Sequence, residues 1–352
     1  MAVIGRNVRR RRWEMRGGER MERRVWRRES ANGNGSIYSV LYREERCGAR
    51  GIVCILHGMQ SHSDRYRFLA EHLSARGYIV TLLDLQGHGR SANAEGSFGP
   101  ERGWDYMLHD IRRNILQVRK WFPGLPLCLF GHSMGSFLAR LFCVRFPGEA
   151  DALLLSGTAG PSPLYAPVYR FMTAQAKLFG EDTDAKLYGR LLSRYFNRHI
   201  KDPVNLGAWC CSMAEVCLSY EDDPLSSSFT IGAYRDMLYG LIQISGEEWF
   251  RKMPDIPILL FSGGSDPVGE YGIGPTMVYA LLKASGHHDL KLRIYPGKRH
   301  ETLNEDIRWE VVAMLEDWLD QHVPLRRSAA DPGSSRMDKG KTEEREGALR
   351  ER

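Results

Sequence analysis

Pro126-Leu127-Cys128-Leu129-Phe130-Gly131-His132-Ser133-Met134-Gly135-Ser136-Phe137-Leu138-Ala139-Arg140-Leu141-Phe142 is the stretch on which the fold turns. Residues 127–130 form a short, wholly apolar run of the kind that makes a buried strand, and residues 136–142 continue with helical spacing. The Gly-x-Ser-x-Gly between them is a weak signal as five letters. Set between a strand and a helix, it becomes a sharp turn that lifts one hydroxyl above a sheet edge. Both glycines are then required, because a Cβ at either position would crowd the helix against the strand.

Outward from this turn, short apolar runs alternate with helical periods. Residues 52–56, 78–83, 127–130, 152–155, 258–261 and 290–295 read as strands. The first five are nearly continuous in Val, Ile and Leu, as parallel strands covered on both faces should be. Residues 65–76, 104–121, 136–145, 275–285 and 306–321 read as helices between them. Strand–helix alternation predicts an α/β domain over residues 31–324 with a mostly parallel sheet. Residues 36–45 are expected to add an antiparallel edge strand.

The alternation breaks once. Residues 158–254 hold helix-like segments rich in Met and aromatic side chains, placed after one sheet strand and before the next. They read as an insertion at the carboxyl edge of the sheet, where ligands bind in open α/β folds, and hence as a helical lid.

The 352 residues carry a net charge of +6, with 43% hydrophobic residues. That charge is uneven. Residues 1–30 hold eleven Arg and four Glu, and residues 325–352 add a further +2, which leaves the body at −3. A mildly acidic body gives no reason to expect a nucleic-acid groove. The Arg-rich start lacks the apolar core of a secretory signal, and its interleaved Glu residues argue against a transit peptide. It is expected to be a disordered or even spurious extension, with Met15 or Met21 an equally good start and its removal neutral. The Gly/Ser/charge-rich stretch 325–352 is expected to be a disordered tail. No apolar run reaches the roughly 18 residues that span a bilayer.

Seven cysteines, an odd number mostly in apolar contexts, suggest buried free thiols in a reducing, cytoplasmic compartment. No Cys-x-x-Cys with a second ligand pair occurs, and Cys210, Cys211 and Cys217 lack nearby His partners. No metal site and no cofactor are expected.

A serine nucleophile needs an imidazole to take its proton and a carboxylate to fix the imidazole's tautomer. Both should lie in loops that follow strands. Among the histidines, His57 and His88 sit in Gly-flanked turns, His132 lies inside the elbow with its side chain expected to point away from Ser133, and His287 and His288 precede their strand. His300 alone follows the last strand. Asp255 precedes its strand and fails, whereas Asp266 follows residues 258–261 through a short loop and passes. The loop after residues 152–155 offers no carboxylate. The order Ser133, Asp266, His300 is that of α/β-hydrolases. Two backbone N–H groups should stabilise the oxyanion, from Met134 directly after the nucleophile and from Met59 in the loop His57-Gly58-Met59-Gln60.

These residues carry a resemblance. Leu56-His57-Gly58-Met59 with Ser63-Asp64-Arg65-Tyr66, Asp84 with Gly87-His88-Gly89-Arg90-Ser91, the elbow, Ser265-Asp266-Pro267-Val268-Gly269, and Tyr295-Pro296-Gly297-Lys298-Arg299-His300-Glu301 form an ordered set over residues 36–322. The chain resembles α/β-hydrolases of the monoacylglycerol lipase and lysophospholipase-like group, also classed with the S33 serine aminopeptidases. Ser136 departs from the small Gly that often follows the elbow. The resemblance implies a serine hydrolase of carboxylic esters, on monoacylglycerol- or lysophospholipid-like lipids, working through an acyl-enzyme on Ser133. Asp84 and the Gly87-His88-Gly89 turn read as structural.

Met172, Met213 and Met237 suit a lid that adapts to an acyl chain and touches a membrane surface transiently. Two other classes compete. An aminopeptidase would need lid carboxylates for an ammonium, for which Glu215, Glu221, Asp222 and Asp223 are available. A non-catalytic hydrolase-fold binding protein would have no reason to keep three triad groups.

Overall fold

A computed structural model of the chain describes residues 8–14, 20–46, 48–92, 96–99 and 102–323. Nine strands form one sheet: β1 (Arg9–Glu14), β2 (Arg20–Glu29), β3 (Ser36–Glu44), β4 (Gly51–Leu56), β5 (Tyr78–Leu83), β6 (Leu127–His132), β7 (Ala152–Ser156), β8 (Ile258–Gly263) and β9 (Leu290–Tyr295). Their order is β1-β2-β3-β5-β4-β6-β7-β8-β9. From β5 to β9 all neighbours are parallel, and β1, β2 and β3 are joined antiparallel.

Ten α-helices accompany the sheet among the described residues: α1 (Arg67–Ala75), α2 (Gly103–Trp121), α3 (Met134–Arg145), α4 (Tyr165–Phe179), α5 (Lys186–Phe196), α6 (Ala214–Ser219), α7 (Ile231–Gln243), α8 (Glu247–Lys252), α9 (Ile273–Ala284) and α10 (Arg308–His322). This is the α/β-hydrolase arrangement that the strand–helix alternation and the resemblance imply.

The core follows from the two-residue period of the strands. Ile52, Cys54 and Leu56 face the layer that holds α2 and α3, whereas Val53 and Ile55 face that of α1 and α10. Every residue of β4 to β8 is buried. The edge strand β9, Leu-Lys-Leu-Arg-Ile-Tyr, instead alternates apolar with charged, as a strand with one wet face must. Cys54, Cys128 and Cys143 are buried free thiols, and burial pushes Cys54 and Cys143 up to about 12.

The amino-terminal reading is overturned. Residues 20–29 are a ten-residue strand, and residues 9–14 pair with it, so β3 is an interior strand rather than the edge. Met21 and Trp26 are buried, and Trp26 packs edge-on against Trp121 of α2 with ring centroids 4.9 Å apart. Charge hid this pattern, because the buried face of β2 reads Glu22, Arg24, Trp26. Glu22 is 0% exposed and accepts from Arg24 (2.9 Å) and Arg43 (2.6 Å). Burial alone would raise its pKa, but hydrogen bonds from Arg43 and Arg24 outweigh that and lower it. Arg24 in turn lies 4.5 Å above the Trp121 ring. Arg28 donates to Gln117 of α2 (2.9 Å), and Ser30 to Asp110 (2.8 Å). The expected tail over 325–352, like residues 1–7 and 15–19, lies outside the described residues.

Between β7 and β8 the chain leaves the sheet for α4 to α8. Arg140 of α3 ties this insertion to the body. Its fully buried guanidinium donates to the carbonyls of Ala159 and Ile244, both at 2.8 Å, and stacks 4.4 Å from the Trp249 ring. Burial lowers its pKa to about 9. No described helix is long and apolar enough to cross a membrane.

Candidate active site

Ser133 stands where β6 turns into α3, with φ 52° and ψ −123°. That conformation costs a non-glycine residue about 1–3 kcal/mol and persists only where the surroundings enforce it. Here they do so by close packing. A Cβ at Gly131 would lie 2.3 Å from the Gly135 carbonyl oxygen, and one at Gly135 would lie 2.2 Å from that of Leu56. The Ser133 N–H donates to Ser156 of the neighbouring strand (2.9 Å). Ser136 returns its hydroxyl to the Ser133 carbonyl (2.6 Å), so the departure from Gly has a structural use.

Asp266 and His300 follow β8 and β9, on the same carboxyl edge. The Asp266 carboxylate takes His300 Nδ1 at 2.9 Å, and it also accepts from Ser262 Oγ and the Val268 N–H, both at 2.9 Å. These partners engage both oxygens of a carboxylate that is 0% exposed, and His300 is only 2% exposed. With Nδ1 bonded to the carboxylate, Nε2 is the nitrogen left as an acceptor. It is buried and has no partner among the described residues. Ser133 and His300 line one cavity without hydrogen bonding to each other. Gly157, at φ +58°, backs the imidazole, and a Cβ there would lie 2.8 Å from Cε1.

The loop after β4 carries Met59. His57 accepts the Leu85 N–H at Nε2 (2.9 Å) and donates to the Gly58 carbonyl at Nδ1 (2.8 Å), which fixes its tautomer. Burial lowers its pKa to about 3, so the ring is neutral. Asp84 accepts the N–H groups of Ser63 (2.7 Å) and Arg90 (2.8 Å), a structural part. At Gly58 a Cβ would lie 3.1 Å from the Ser133 Cβ, so the backbone there runs against the serine. Met134 occupies the first position of α3, where an N–H has no intrahelical acceptor.

The cavity measures about 330 Å³. Leu192, Phe196, Leu206, Trp209, Phe229 and Tyr234 line its apolar part, while Gln60, Ser61, Tyr220 and Glu301 bring polar groups to it. Glu301 accepts from Asn304 (2.6 Å) and from the Tyr220 hydroxyl, and burial raises its carboxyl to about 6. Arg65 lies 3.4 Å over the Tyr220 ring and, with His62, grips Asp223 (2.9 and 2.8 Å).

One expectation fails here. Met172, Met213 and Met237 are not among the lining residues: Met172 is buried in the core and Met237 packs against it. The His132 ring is 4.7 Å from that of His300, and its Nδ1 is 3.1 Å from Ser156 Oγ. Of the carboxylates considered for an ammonium, Glu221 reaches the lining, whereas Asp223 is engaged by His62 and Arg65. Trp209 and Tyr220 escaped the sequence reading, and Glu301 entered it only within the stretch that carries His300. Only Glu301, next to His300, carried a positional hint.

Residues 48–307 match the family model described as serine aminopeptidase, S33. The monoacylglycerol lipase of Mycolicibacterium smegmatis is 29% identical over 283 residues, covering 78% of this chain and 89% of the relative. The human monoglyceride lipase is 24% identical, covering 86% and 92%. A thermostable carboxyl esterase from Bacillus coagulans, solved in complex with glycerol, superimposes with a TM-score of 0.80 at 29% identity, over 86% of this chain and 99% of that one. The chain therefore belongs to the S33 serine aminopeptidase family of hydrolases. Within it, the likeness to named lipases and esterases makes this chain a carboxylic ester hydrolase.

Proposed function

We propose that the chain hydrolyses esters of one acyl chain, monoacylglycerol- or lysophospholipid-like, through an acyl-enzyme on Ser133. The observation that carries this reading is the buried imidazole of His300, tied to Asp266 through Nδ1 while Nε2 remains free in the cavity it shares with Ser133. Ser133 Oγ attacks the ester carbonyl as His300 Nε2 takes its proton, and Asp266 holds the tautomer and balances the imidazolium. The N–H groups of Met59 and Met134 receive the oxyanion, each worth about 3 kcal/mol in comparable sites. His300 then protonates the leaving alcohol, and water activated by the same imidazole frees the acid.

The lining supports an amphipathic substrate, with aromatic and aliphatic walls for an acyl chain and Glu301 and Tyr220 for hydroxyls of the alcohol. The lipase names of the relatives and the glycerol bound to the similar esterase point the same way. We read the insertion over residues 158–254, which carries α4 and α5, as the lid. Leu178 (72% exposed) and Leu187 (66%) are apolar side chains that a passing contact with a membrane surface would cover.

A second reading, an aminopeptidase, draws on Glu221 and Glu301 at the cavity as acceptors for an ammonium. A panel of monoacylglycerols, lysophospholipids, p-nitrophenyl esters and amino-acid anilides separates the two. Anilide cleavage that requires a free amino group, with no ester turnover, would overturn the lipase-like reading.

A further inference from the structure

The loop that carries His300 is bolted to the insertion. Arg299, the residue before it, donates from one guanidinium nitrogen to the carbonyls of Ala208 (2.7 Å) and Cys211 (2.9 Å). The Glu301 N–H, directly after it, donates to the Cys210 carbonyl (2.7 Å). Glu305 is 2% exposed and accepts from the Ser212 N–H (2.8 Å), the Ser212 hydroxyl and the Arg299 N–H (3.0 Å). Between these bonds the Trp209 ring lies 5.2 Å from the His300 ring. On the sheet side there is no slack, because a Cβ at Gly263 would lie 2.1 Å from the carbonyl oxygens of both Lys298 and Arg299.

We infer that Arg299 is a positioning residue for His300: by holding the carbonyls of Ala208 and Cys211 it locks residues 208–212 of the insertion onto the His300 loop and so fixes the imidazole between Asp266 and Trp209. This rests on His300 being the general base. Arg299 is not among the cavity-lining residues, so it acts through the loop and not on substrate. A charged donor shared by two backbone acceptors is a strong, geometrically demanding tie. A catalytic group displaced by about 1 Å loses roughly 100-fold in rate. Residues 208–212 are on this account part of the catalytic frame.

The test is saturation kinetics of Arg299→Met, Arg299→Lys and Ser212→Ala on a p-nitrophenyl ester, with active sites titrated by a fluorophosphonate so that kcat is counted per competent molecule. Arg299→Met should lower kcat about 10- to 100-fold with KM within about twofold. Arg299→Lys should recover most of the loss, since an ammonium can reach both carbonyls. Ser212→Ala, at an exposed position, should lower kcat a few-fold. A folded Arg299→Met with wild-type kcat per titrated site overturns the inference, as does a raised KM at unchanged kcat. If Arg299→Met does not fold, Ser212→Ala decides, and wild-type kcat there overturns it. Turnover by Ser133→Ala in the same assay would sink the triad reading instead, so the two failures are distinguishable.

Discussion

Asp266 and His300 lie 34 residues apart in the chain and 2.9 Å apart in space, each withdrawn from solvent at the end of its own strand. Among the described residues no Lys or Arg pairs with the carboxylate, so its work falls on one imidazole. Asp266→Asn tests that relationship. An amide that donates to Nδ1 would force the proton onto Nε2 and remove the base, for a fall in kcat of about 10⁴ without unfolding. A loss smaller than tenfold in stopped-flow ester hydrolysis would show that Asp266 only fills space.

Ser133→Ala should lower kcat by up to ~10⁶. It should also abolish labelling by a fluorophosphonate probe. Melting temperature should hold or rise, because alanine at φ 52° keeps the backbone strain but loses no structural hydrogen bond of its side chain. Labelling that survives the substitution would reveal a different nucleophile.

The amino-terminal hairpin makes a stability prediction opposite to the one its composition invites. Trp26→Ala should cost about 3–5 kcal/mol, the usual range for emptying a buried aromatic site. Removing residues 1–30 should lower the melting temperature by on the order of 10 °C and bare the edge of β3 to aggregation. A truncated protein that melts with the full chain would show that β1 and β2 contribute nothing.

Glu301 gives a pH dependence whose sign is set by its raised carboxyl. The folded state holds this proton up to about pH 6, whereas the unfolded chain releases it near 4.5. Between those values the unfolded state binds fewer protons, so stability falls as pH rises through the window and then levels. Glu301→Gln should flatten that fall and, at pH 8, stabilise by at most about 2 kcal/mol. Urea midpoints at pH 4.5 and pH 8 check it. A larger gap between the two pH values in the variant than in the wild type would contradict it.

If the apolar lining receives an acyl chain, kcat/KM should climb with chain length from C2. Each buried methylene is worth ~0.8 kcal/mol, about fourfold, until the roughly 330 Å³ is full. A flat profile from C2 to C16 would remove the acyl-chain reading and leave the ester chemistry standing.

What one strand and its flanks could encode was legible. Continuous Val/Ile/Leu runs announced the buried parallel strands, the two glycines marked the turn at Ser133, and chain position after a strand singled out Asp266 and His300. Each of these depends on local period or on which end of a strand a residue follows. Long-range pairing decided the rest. Glu22 and Arg24 read as solvent-seeking in isolation, yet with Arg43 and Trp121 alongside they are buried, because a charge enters a core only when distant residues neutralise it. Met172, Met213 and Met237 carried the right chemistry for a pliable wall, but the irregular insertion turned Phe196, Trp209 and Tyr220 to the cavity instead. A helical period says which residues share a face. What that face meets is set by the packing of the other helices.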